Sequence, residues 1–333
     1  MLKKTYQYLF MLAYRYYGPL RKRKASMMMK SKQSSGFNLP VDVGGISNRK
    51  LFQALERAGV QAGGTLFIRT SLSAASAFEG GVVGYLNALK EYLTPSGNLV
   101  MSSYTFSKSP LMTLADNPLF APESSIDQLN LVSEFFRRQS DVYRSIHPTH
   151  SVSAWGKDAQ WITKDHHTSS FCYAEVSPFA KLYALDANEV SIGVFPTSLS
   201  YHYIEQYLPV GQPGFRDLPC PVMCRIVVDG NERTMPFNVT DTFTSILRIS
   251  ETFEGTNAEP ISYKISDNLD MYIHNLNKQL GALKDIVKEK GSIHYVTSPC
   301  KDLFLRKIIK PMVLNAVFNK KDGVLYPVKE PSK

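Results

Sequence analysis

The chain has 333 residues, of which 44% are hydrophobic and 20% are charged. This balance fits a folded globular protein and excludes a disordered, collagen-like or coiled-coil chain. The four cysteines form neither a disulfide framework nor paired CxxC zinc motifs. We therefore expect a reducing, cytoplasmic compartment.

The formal charge of +9 is concentrated at the amino terminus. Residues 1–40 contain no acidic side chain and nine basic ones, which are Lys3, Lys4, Arg15, Arg21, Lys22, Arg23, Lys24, Lys30 and Lys32. Of the 38 basic residues, 29 remain outside this segment, which equals the 29 acidic residues. The rest of the chain is therefore neutral, and we expect no nucleic-acid partner.

This basic segment also has an amphipathic pattern, because Tyr6, Leu9, Phe10, Ala13 and Tyr17 follow helical spacing. A spanning helix needs about 20 apolar residues, and this apolar run is shorter. The pattern favours a helix lying through residues 3–32 on an anionic membrane surface. Packing of the segment on its own body, or on the second subunit of a homodimer, is an equally open alternative.

We accordingly divide the chain into a basic amphipathic arm with its linker, residues 1–40, and an α/β domain, residues 41–333. The membrane interpretation would place the protein in the cytoplasm, peripherally on the inner face of the cytoplasmic membrane. Sedimentation with anionic vesicles, with and without residues 1–32, distinguishes it from the packing alternative.

After the arm, helical and strand patterns alternate. Ser47 can cap a helix that Gly59 ends. A strand is predicted at 65–68, followed by a helix from Gly80 and a strand at 98–105. Strand, helix and strand in such short succession indicate a βαβ unit.

The second half of the chain continues in the same way and adds an antiparallel hairpin. The predicted elements are a helix from Ser125, a helix from Ser177-Pro178, a strand at 190–195, a hairpin over 224–237 that turns at Asp229-Gly230, a helix over 269–283, and a last helix over 301–318 with a kink at Pro311. These elements predict an α/β fold with an antiparallel appendage.

Several familiar catalytic motifs are missing from the sequence. There is no GxxxxGK[ST] phosphate-binding loop, no GxGxxG after a strand and no GxSxG nucleophile turn. Histidine is more informative, because five of the seven histidines lie between residues 147 and 202, namely His147, His150, His166, His167 and His202. Histidine titrates nearest to neutral pH, so this clustering indicates chemistry.

Three interpretations of the histidines are open. His147, His150 and His166 could bind a metal with Asp165, although the spacing matches no known ligand motif. Alternatively, they could be structural residues held by hydrogen bonds. General-base catalysis needs only one histidine and an orienting carboxylate, and Glu205 follows His202 on the same helix face.

A series of motifs in this region resembles the aminoglycoside 3-N-acetyltransferase family. These motifs are Gly64-Thr65-Leu66, Ser71-Leu72-Ser73, Gly80-Gly81, Ser133-Glu134-Phe135-Phe136-Arg137, residues 144–156 (RSIHPTHSVSAWG), Asp165-His166-His167, Ser177-Pro178 and His202-Tyr203-Ile204-Glu205. The resemblance runs from about Val43 to Arg216 and is specific because many motifs recur in one order. It is faint beyond Leu218.

The resemblance implies a three-layer α/β/α fold around a mixed central sheet, and acetyl transfer from acetyl-CoA to an amine, with no metal expected. The family's catalytic histidine precedes the Ser-Pro helix start by ten residues, which gives His167, with Glu205 as its carboxylate partner. Its other implied site residues form two groups. Those for coenzyme A are Ser71, Leu72, Ser73, Arg144, Ser145, His147 and Ser151, and those for the acceptor are His202, Glu175 and Tyr201.

This chemistry suits the residue types. A protonated amine cannot attack a thioester until its proton leaves, and histidine, with a pKa of about 6.5, can accept that proton. The turn at Ser71 to Ser73 could supply donors to the oxyanion. Arg69 stands where the family usually has a histidine before its serine pair. Two further departures flank the expected site: Cys172-Tyr173-Ala174 replaces a glycine-flanked turn, and Leu199-Ser200-Tyr201 replaces a Thr-led tripeptide before His202.

The leading hypothesis is a coenzyme-A-dependent N-acyltransferase that acts on an amino sugar, for example a surface-polysaccharide precursor. The alternative is an aminoglycoside antibiotic 3-N-acetyltransferase. Two further hypotheses are hydrolysis or O-acyl transfer through Ser71 or Ser151, and a non-catalytic membrane-associated interaction protein.

Overall fold

A computed structural model describes residues 45–106, 109–196, 198–206, 217–218, 220–239, 246–248, 253–291, 293–296 and 303–328. The predicted arm at 1–40 lies outside the described residues. The structure therefore tests neither the membrane interpretation of the arm nor the packing alternative. The division of the chain at residue 40 therefore stays a prediction.

The strands in chain order are β1 (Thr65–Thr70), β2 (Asn98–Ser102), β3 (Leu119–Phe120), β4 (Tyr143–Arg144), β5 (Val152–Gly156), β6 (Asn188–Ile192), β7 (Val222–Val228), β8 (Asn231–Phe237), β9 (Ile246–Arg248), β10 (Ile261–Ser266), β11 (Leu269–Asn275), β12 (His294–Val296), β13 (Phe318–Lys321) and β14 (Val324–Pro327). The α-helices are α1 (Asn48–Arg57), α2 (Leu72–Ser76), α3 (Gly81–Leu93), α4 (Pro110–Ala115), α5 (Leu131–Arg137), α6 (Ala159–Thr163), α7 (Pro178–Ala184), α8 (Leu199–Gln206), α9 (Leu276–Lys290) and α10 (Lys310–Val317). A 3-10 turn covers His166–Thr168, and a π-helical turn at Leu305–Ile309 precedes Pro311.

A seven-stranded mixed sheet in the order β10-β11-β6-β1-β2-β5-β4 forms the centre of the fold. β1 is parallel to both β2 and β6, and the outer pairs are antiparallel. Side chains alternate across β1, so that Leu66 and Ile68 join a core with helices α1 and α3, while Phe67 joins a second core with α7 and α9. Helices therefore cover both faces, which confirms the predicted three-layer α/β/α class.

The antiparallel appendage is also confirmed. Strands β7 and β8 pair from Val222↔Phe237 to Val228↔Asn231 and turn at Asp229 and Gly230, whose φ angles are +51° and +74°. Two positive φ angles in succession belong to a type I′ turn, whose twist matches that of the strands. The inner side of β7 packs with α4 and α10 in a third core.

Two predicted elements differ from the observed ones. The helix predicted over 269–283 is strand β11 followed by helix α9, because Leu269, Met271 and Ile273 alternate toward the core and β11 pairs with β6. Asn275 ends the strand, and its side chain accepts from Lys278 N–H to cap the helix.

The helix expected to begin at Ser125 begins instead at Leu131. The side chain of Asn130 is the cap, accepting a hydrogen bond from Val132 N–H, whereas the Ser125 hydroxyl accepts from Ala121 N–H. Ser47 and Ser177 cap α1 and α7 as predicted. Within the described part of the chain, every helix is too short or too polar to cross a bilayer.

Candidate active site

Four chain segments meet at one edge of the central sheet. Because β1, β2 and β6 are parallel, the residues that follow them lie at the same edge. Ser71 follows β1, Tyr104 follows β2 and His202 follows β6. His150 precedes β5, whose start pairs with the end of β2. The carboxyl ends of parallel strands are the usual location of binding sites in open α/β sheets.

A histidine–carboxylate pair on helix α8 lies at this edge. Nδ1 of His202 lies 3.0 Å from Oε2 of Glu205. The His202 side chain is 41% exposed, whereas that of Glu205 is only 4% exposed. If Nδ1–H donates to the buried carboxylate, the lone pair of the ring is on Nε2, and the carboxylate stabilises the imidazolium that forms when Nε2 takes a proton.

His167, expected to be the partner of Glu205, lies elsewhere. It belongs to the 3-10 turn and lines a cavity of about 1030 Å³ together with Arg144, Lys164 and Asp229. Its Nδ1 has no hydrogen-bond partner among the described residues. Burial lowers the pKa of His167, and the charges of Asp165 and Asp229 oppose that shift. The hydrogen bonds thus pair Glu205 with His202, because residues three apart on one helix face each other.

Aromatic side chains surround the exposed imidazole. Tyr173 stacks on His202 with ring centroids 5.9 Å apart and an interplanar angle of 18°. Its hydroxyl is close enough to that of Tyr104 for each group to affect the pKa of the other. The centroid of the Tyr104 ring lies 4.7 Å from that of His150 and 5.4 Å from that of Phe106. Burial raises the pKa values of both tyrosines, so both stay protonated near neutral pH. Tyr104, Phe106 and Tyr173 are not among the site residues predicted from the sequence, although Tyr104 lies at the end of the strand predicted at 98–105.

The turn expected to contact the thioester forms the start of helix α2. The Ser71 hydroxyl accepts from Ala74 N–H at 3.2 Å and lies 3.2 Å from the Ser73 hydroxyl, while Leu72 is 40% exposed. Gly193, just after β6, approaches this turn so closely that an added Cβ would lie 2.5 Å from Ser71 Oγ. The turn is therefore fixed against the end of β6.

The polar side chains of the segment 144–151 are largely engaged inside the fold. The Arg144 guanidinium donates to Ser151 Oγ at 2.9 Å and to Ser103 O at 2.8 Å, and it also contacts the carbonyl oxygens of Pro122 and Ser125. Ser145 Oγ accepts from Val152 N–H and is hydrogen-bonded to His166 Nδ1. These bonds shape the segment itself.

The two residues expected at the acceptor beside His202 are accessible to different degrees. Glu175 is exposed and Tyr201 is half-buried, with its ring 5.5 Å from that of Phe253.

A buried trio of His147, His166 and Cys172 offers three ligand atoms within 4.8 Å of one another. The hydrogen bonds do not suit a metal. Nδ1 of His147 accepts from the backbone N–H groups of Thr149 and His150, which places the ring proton on Nε2. Nε2 of His166 lies 3.0 Å from the Cys172 carbonyl oxygen and must donate to it. The free ring nitrogen of His147 thus carries a proton, and both ring nitrogens of His166 are engaged by Ser145 Oγ and the Cys172 carbonyl oxygen.

Comparison with known proteins shows the family to which the chain belongs. A sequence profile of the aminoglycoside 3-N-acetyltransferase family matches residues 67–268, more than half of the chain. The chain belongs to this family. Its relatives include aminoglycoside N(3)-acetyltransferase III of Pseudomonas aeruginosa, 28% identical over 52% of this chain and 68% of the relative. Another is aminoglycoside N(3)-acetyltransferase IV of Salmonella sp, 31% identical over 54% of this chain and 64% of the relative.

The matched region thus spans only about two-thirds of the relatives' own length. Solved structures show the same fold. The apoenzyme of aminoglycoside acetyltransferase AAC(3)-IVa has a TM-score of 0.57 at 22% identity, covering 75% of this chain and 91% of that chain. The binary structure of AAC-IIIb with CoASH has a TM-score of 0.60 at 18% identity, covering 73% and 97%.

Membership confirms the family resemblance, the fold class and the assignment to the acyltransferases. The predicted co-substrate, acetyl-CoA, agrees with the CoASH held by the solved AAC-IIIb neighbour. The roles of the individual site residues stay predictions.

Proposed function

We propose that this protein transfers an acetyl group from acetyl-CoA to a primary amine, with His202 as the general base and Glu205 as its orienting carboxylate. The observation that carries the proposal is the 3.0 Å hydrogen bond between a half-exposed imidazole and a buried acid, at the edge of the sheet where binding sites form. Family membership supports the reaction class.

The reaction needs one attack and the loss of two protons from the acceptor ammonium group. Nε2 of His202 takes a proton from the acceptor ammonium group, and the free amine attacks the thioester carbonyl directly. The carbonyl oxygen becomes negative as the C–N bond forms, and the turn at Ser71 to Ser73 is suited to donate to it. The C–S bond then breaks and the thiolate of coenzyme A leaves, while the nitrogen releases its second proton, which neutralises the thiolate and leaves a neutral amide. No covalent acyl-enzyme is needed, because the thioester is already activated.

The proposed acceptor is an aminoglycoside. The relatives' names support it, and so do two solved neighbours, which are AAC-VIa bound to sisomicin and the H154A mutant of AAC(3)-IVa in complex with apramycin. These findings favour the antibiotic over the surface-polysaccharide amino sugar that was the leading hypothesis. The partly exposed rings of Tyr104 and His150, whose centroids lie 4.7 Å apart, suit the apolar face of a sugar ring in either case.

The direct test is release of free thiol from acetyl-CoA with purified protein. The acceptors are apramycin, gentamicin and sisomicin, compared with glucosamine as a simple amino sugar. We expect turnover with at least one aminoglycoside and a product heavier by one acetyl group in mass spectrometry. Turnover of glucosamine alone would restore the polysaccharide hypothesis. Absence of thiol release with every acceptor would contradict the proposal.

We also propose peripheral membrane contact through residues 3–32. The described residues add a second exposed apolar and basic segment, where Phe304, Ile308 and Met312 are between 43% and 49% exposed and Lys307 is also exposed. Apolar residues flanked by basic ones favour an anionic bilayer surface. Deletion of residues 1–32 should reduce sedimentation with vesicles that contain phosphatidylglycerol. Unchanged binding would contradict the role of the arm.

A further inference from the structure

A buried ionic cluster lies beneath the candidate active site, on one face of the central sheet. Arg69 on β1 pairs in register with Ser191 on β6, and Glu189 on β6 pairs with His274 on β11. Residues 189 and 191 point to the same face of their strand, so the three charged or titratable side chains converge. Arg69 Nη2 lies 2.7 Å from Glu189 Oε1, and His274 Nε2 lies 2.9 Å from Glu189 Oε2.

Glu189 is the centre of this cluster. Its side chain is only 1% exposed, and its second oxygen also accepts a hydrogen bond from Leu199 N–H at 2.8 Å. Burial by itself raises the pKa of this carboxyl, but the charge of Arg69 and the bonds from His274 and Leu199 bring the pKa below its usual value. The side chain is therefore a carboxylate in the interior of the sheet.

Such a cluster is a poor way to stabilise a sheet. A buried ion pair can often be replaced by apolar side chains of similar volume at no cost in stability. The neighbouring positions Val190 and Ile192 on β6 are apolar and fully buried. Stability alone therefore does not explain the contacts of the Glu189 carboxylate. Each of its two oxygens is connected to His202 through a different set of contacts.

The first connection runs through the backbone of helix α8. Leu199 is the first residue of this helix, and the negative carboxylate of Glu189 sits at its amino-terminal end, where anions are favoured. His202 follows within the same turn and Glu205 one turn later. Any movement of Leu199 would therefore shift both members of the proposed catalytic pair.

The second connection runs through side chains. The Arg69 guanidinium is held by Glu189 and by Ser191 Oγ at 3.2 Å, and it is near enough to Tyr104 for its charge to affect that hydroxyl. The Tyr104 hydroxyl in turn is near enough to Tyr173 to affect the pKa of the Tyr173 hydroxyl, and the Tyr173 ring stacks on the His202 ring. The position of the His202 ring thus depends on two sets of contacts, one through the backbone of helix α8 and one through the Tyr173 ring that stacks on it.

We propose that Glu189 is a positioning residue that holds the His202 ring in place through Leu199 and Arg69. The expected loss of kcat rests on the proposed function, whereas the expected change in the position of the His202 ring does not. A misplaced general base loses rate while substrate binding persists, because the base acts only as the proton is transferred.

The test compares Glu189→Gln with a matched control, Glu232→Gln. Glutamine keeps the shape of Glu189 and can still accept from Leu199 N–H, but it removes the charge. Glu232 also forms an ion pair, 2.7 Å from Arg225, but on the exposed hairpin. In the folded Glu189→Gln protein we expect kcat to fall by about 10–100-fold with the KM for acetyl-CoA within about twofold. The control variant should match the wild type in both kcat and the KM for acetyl-CoA. A kcat within about twofold of wild type for folded Glu189→Gln would overturn the proposal.

Nitrogen-15 NMR of the His202 ring gives a readout that needs no turnover. In the wild type, the signals should show one tautomer protonated at Nδ1, and in Glu189→Gln they should broaden or move toward a tautomer average. Unchanged signals would overturn the positioning role, and this readout does not depend on activity. Failure of the wild type to acetylate any acceptor would separately refute the proposed function.

A third variant addresses folding. If Glu189→Gln does not fold, the double variant Arg69→Met/Glu189→Leu replaces the pair with apolar side chains. We expect it to fold and still to lack at least about nine-tenths of the wild-type kcat. Wild-type kcat in the folded double variant would overturn the proposal.

Discussion

Acidification should destabilise this protein through two buried histidines well before its carboxylates are protonated. His147 and His166 have no exposed surface, and burial lowers both pKa values, that of His166 to about 3. In the unfolded chain each ring has a pKa of about 6.5. Below that pH the unfolded state binds protons that the folded state does not bind. The free energy of unfolding therefore falls as the pH drops from about 6.5 toward the pKa of the folded state.

The size of the effect follows from the pKa difference. Each neutral buried ring costs about 1.4 kcal/mol of unfolding free energy per pH unit in this range. Between about pH 6.5 and about pH 5, His166 alone should remove about 2 kcal/mol, and His147 can contribute a similar amount. Against a total stability of about 5–15 kcal/mol, this is a large fraction.

Urea unfolding at a series of pH values measures the effect, with His166→Gln as the comparison. The glutamine amide can still donate to the Cys172 carbonyl but does not titrate. The variant should be less stable than wild type near neutral pH, yet its stability should fall less steeply, by about 1.4 kcal/mol per pH unit. Parallel pH dependences for the two proteins would refute the assignment of the effect to His166.

Two other substitutions test how the site and its support are built. Lys181 is 7% exposed, and its Nζ donates to the carbonyl oxygens of Trp161 at 2.8 Å and Lys164 at 2.7 Å at the end of α6. Lys181→Met should lower the free energy of unfolding by about 1–3 kcal/mol in urea titrations, and an unchanged value would contradict that role. Gly193→Ala should displace Ser71, because the added Cβ would lie 2.5 Å from Ser71 Oγ at a backbone φ of +65°. We expect a lower melting temperature and a lower kcat, and a fully active variant would show that the Ser71 turn is not needed in its present place.

Much of the fold could be predicted because its signals are local. The hairpin turn at Asp229-Gly230 needs two positive φ angles, and aspartate followed by glycine tolerates them. The caps at Ser47 and Ser177 likewise act on their own helices. The strand at 269–275 was missed because Leu269, Tyr272 and Ile273 also fit helical spacing, and only pairing with β6 decides between the two patterns.

The site was less predictable because its contacts join distant parts of the chain. The pair His202 and Glu205 could be found from spacing alone, since i and i+3 face each other on a helix. The position of His167 in space could not be predicted in this way. Counting back from Ser177 identifies the residue in the sequence but does not show which cavity it lines. The Arg69–Glu189–His274 cluster needs the register of three strands, of which one had been predicted as a helix.

The central claim is that His202, and not His167, removes the proton from the amine. The most direct measurement is kcat/KM for acetyl transfer to an aminoglycoside by folded His202→Gln and His167→Gln. We predict a loss of about 10²–10⁴-fold for His202→Gln and a loss below about tenfold for His167→Gln. The reverse order, with near wild-type activity for His202→Gln, would contradict the account.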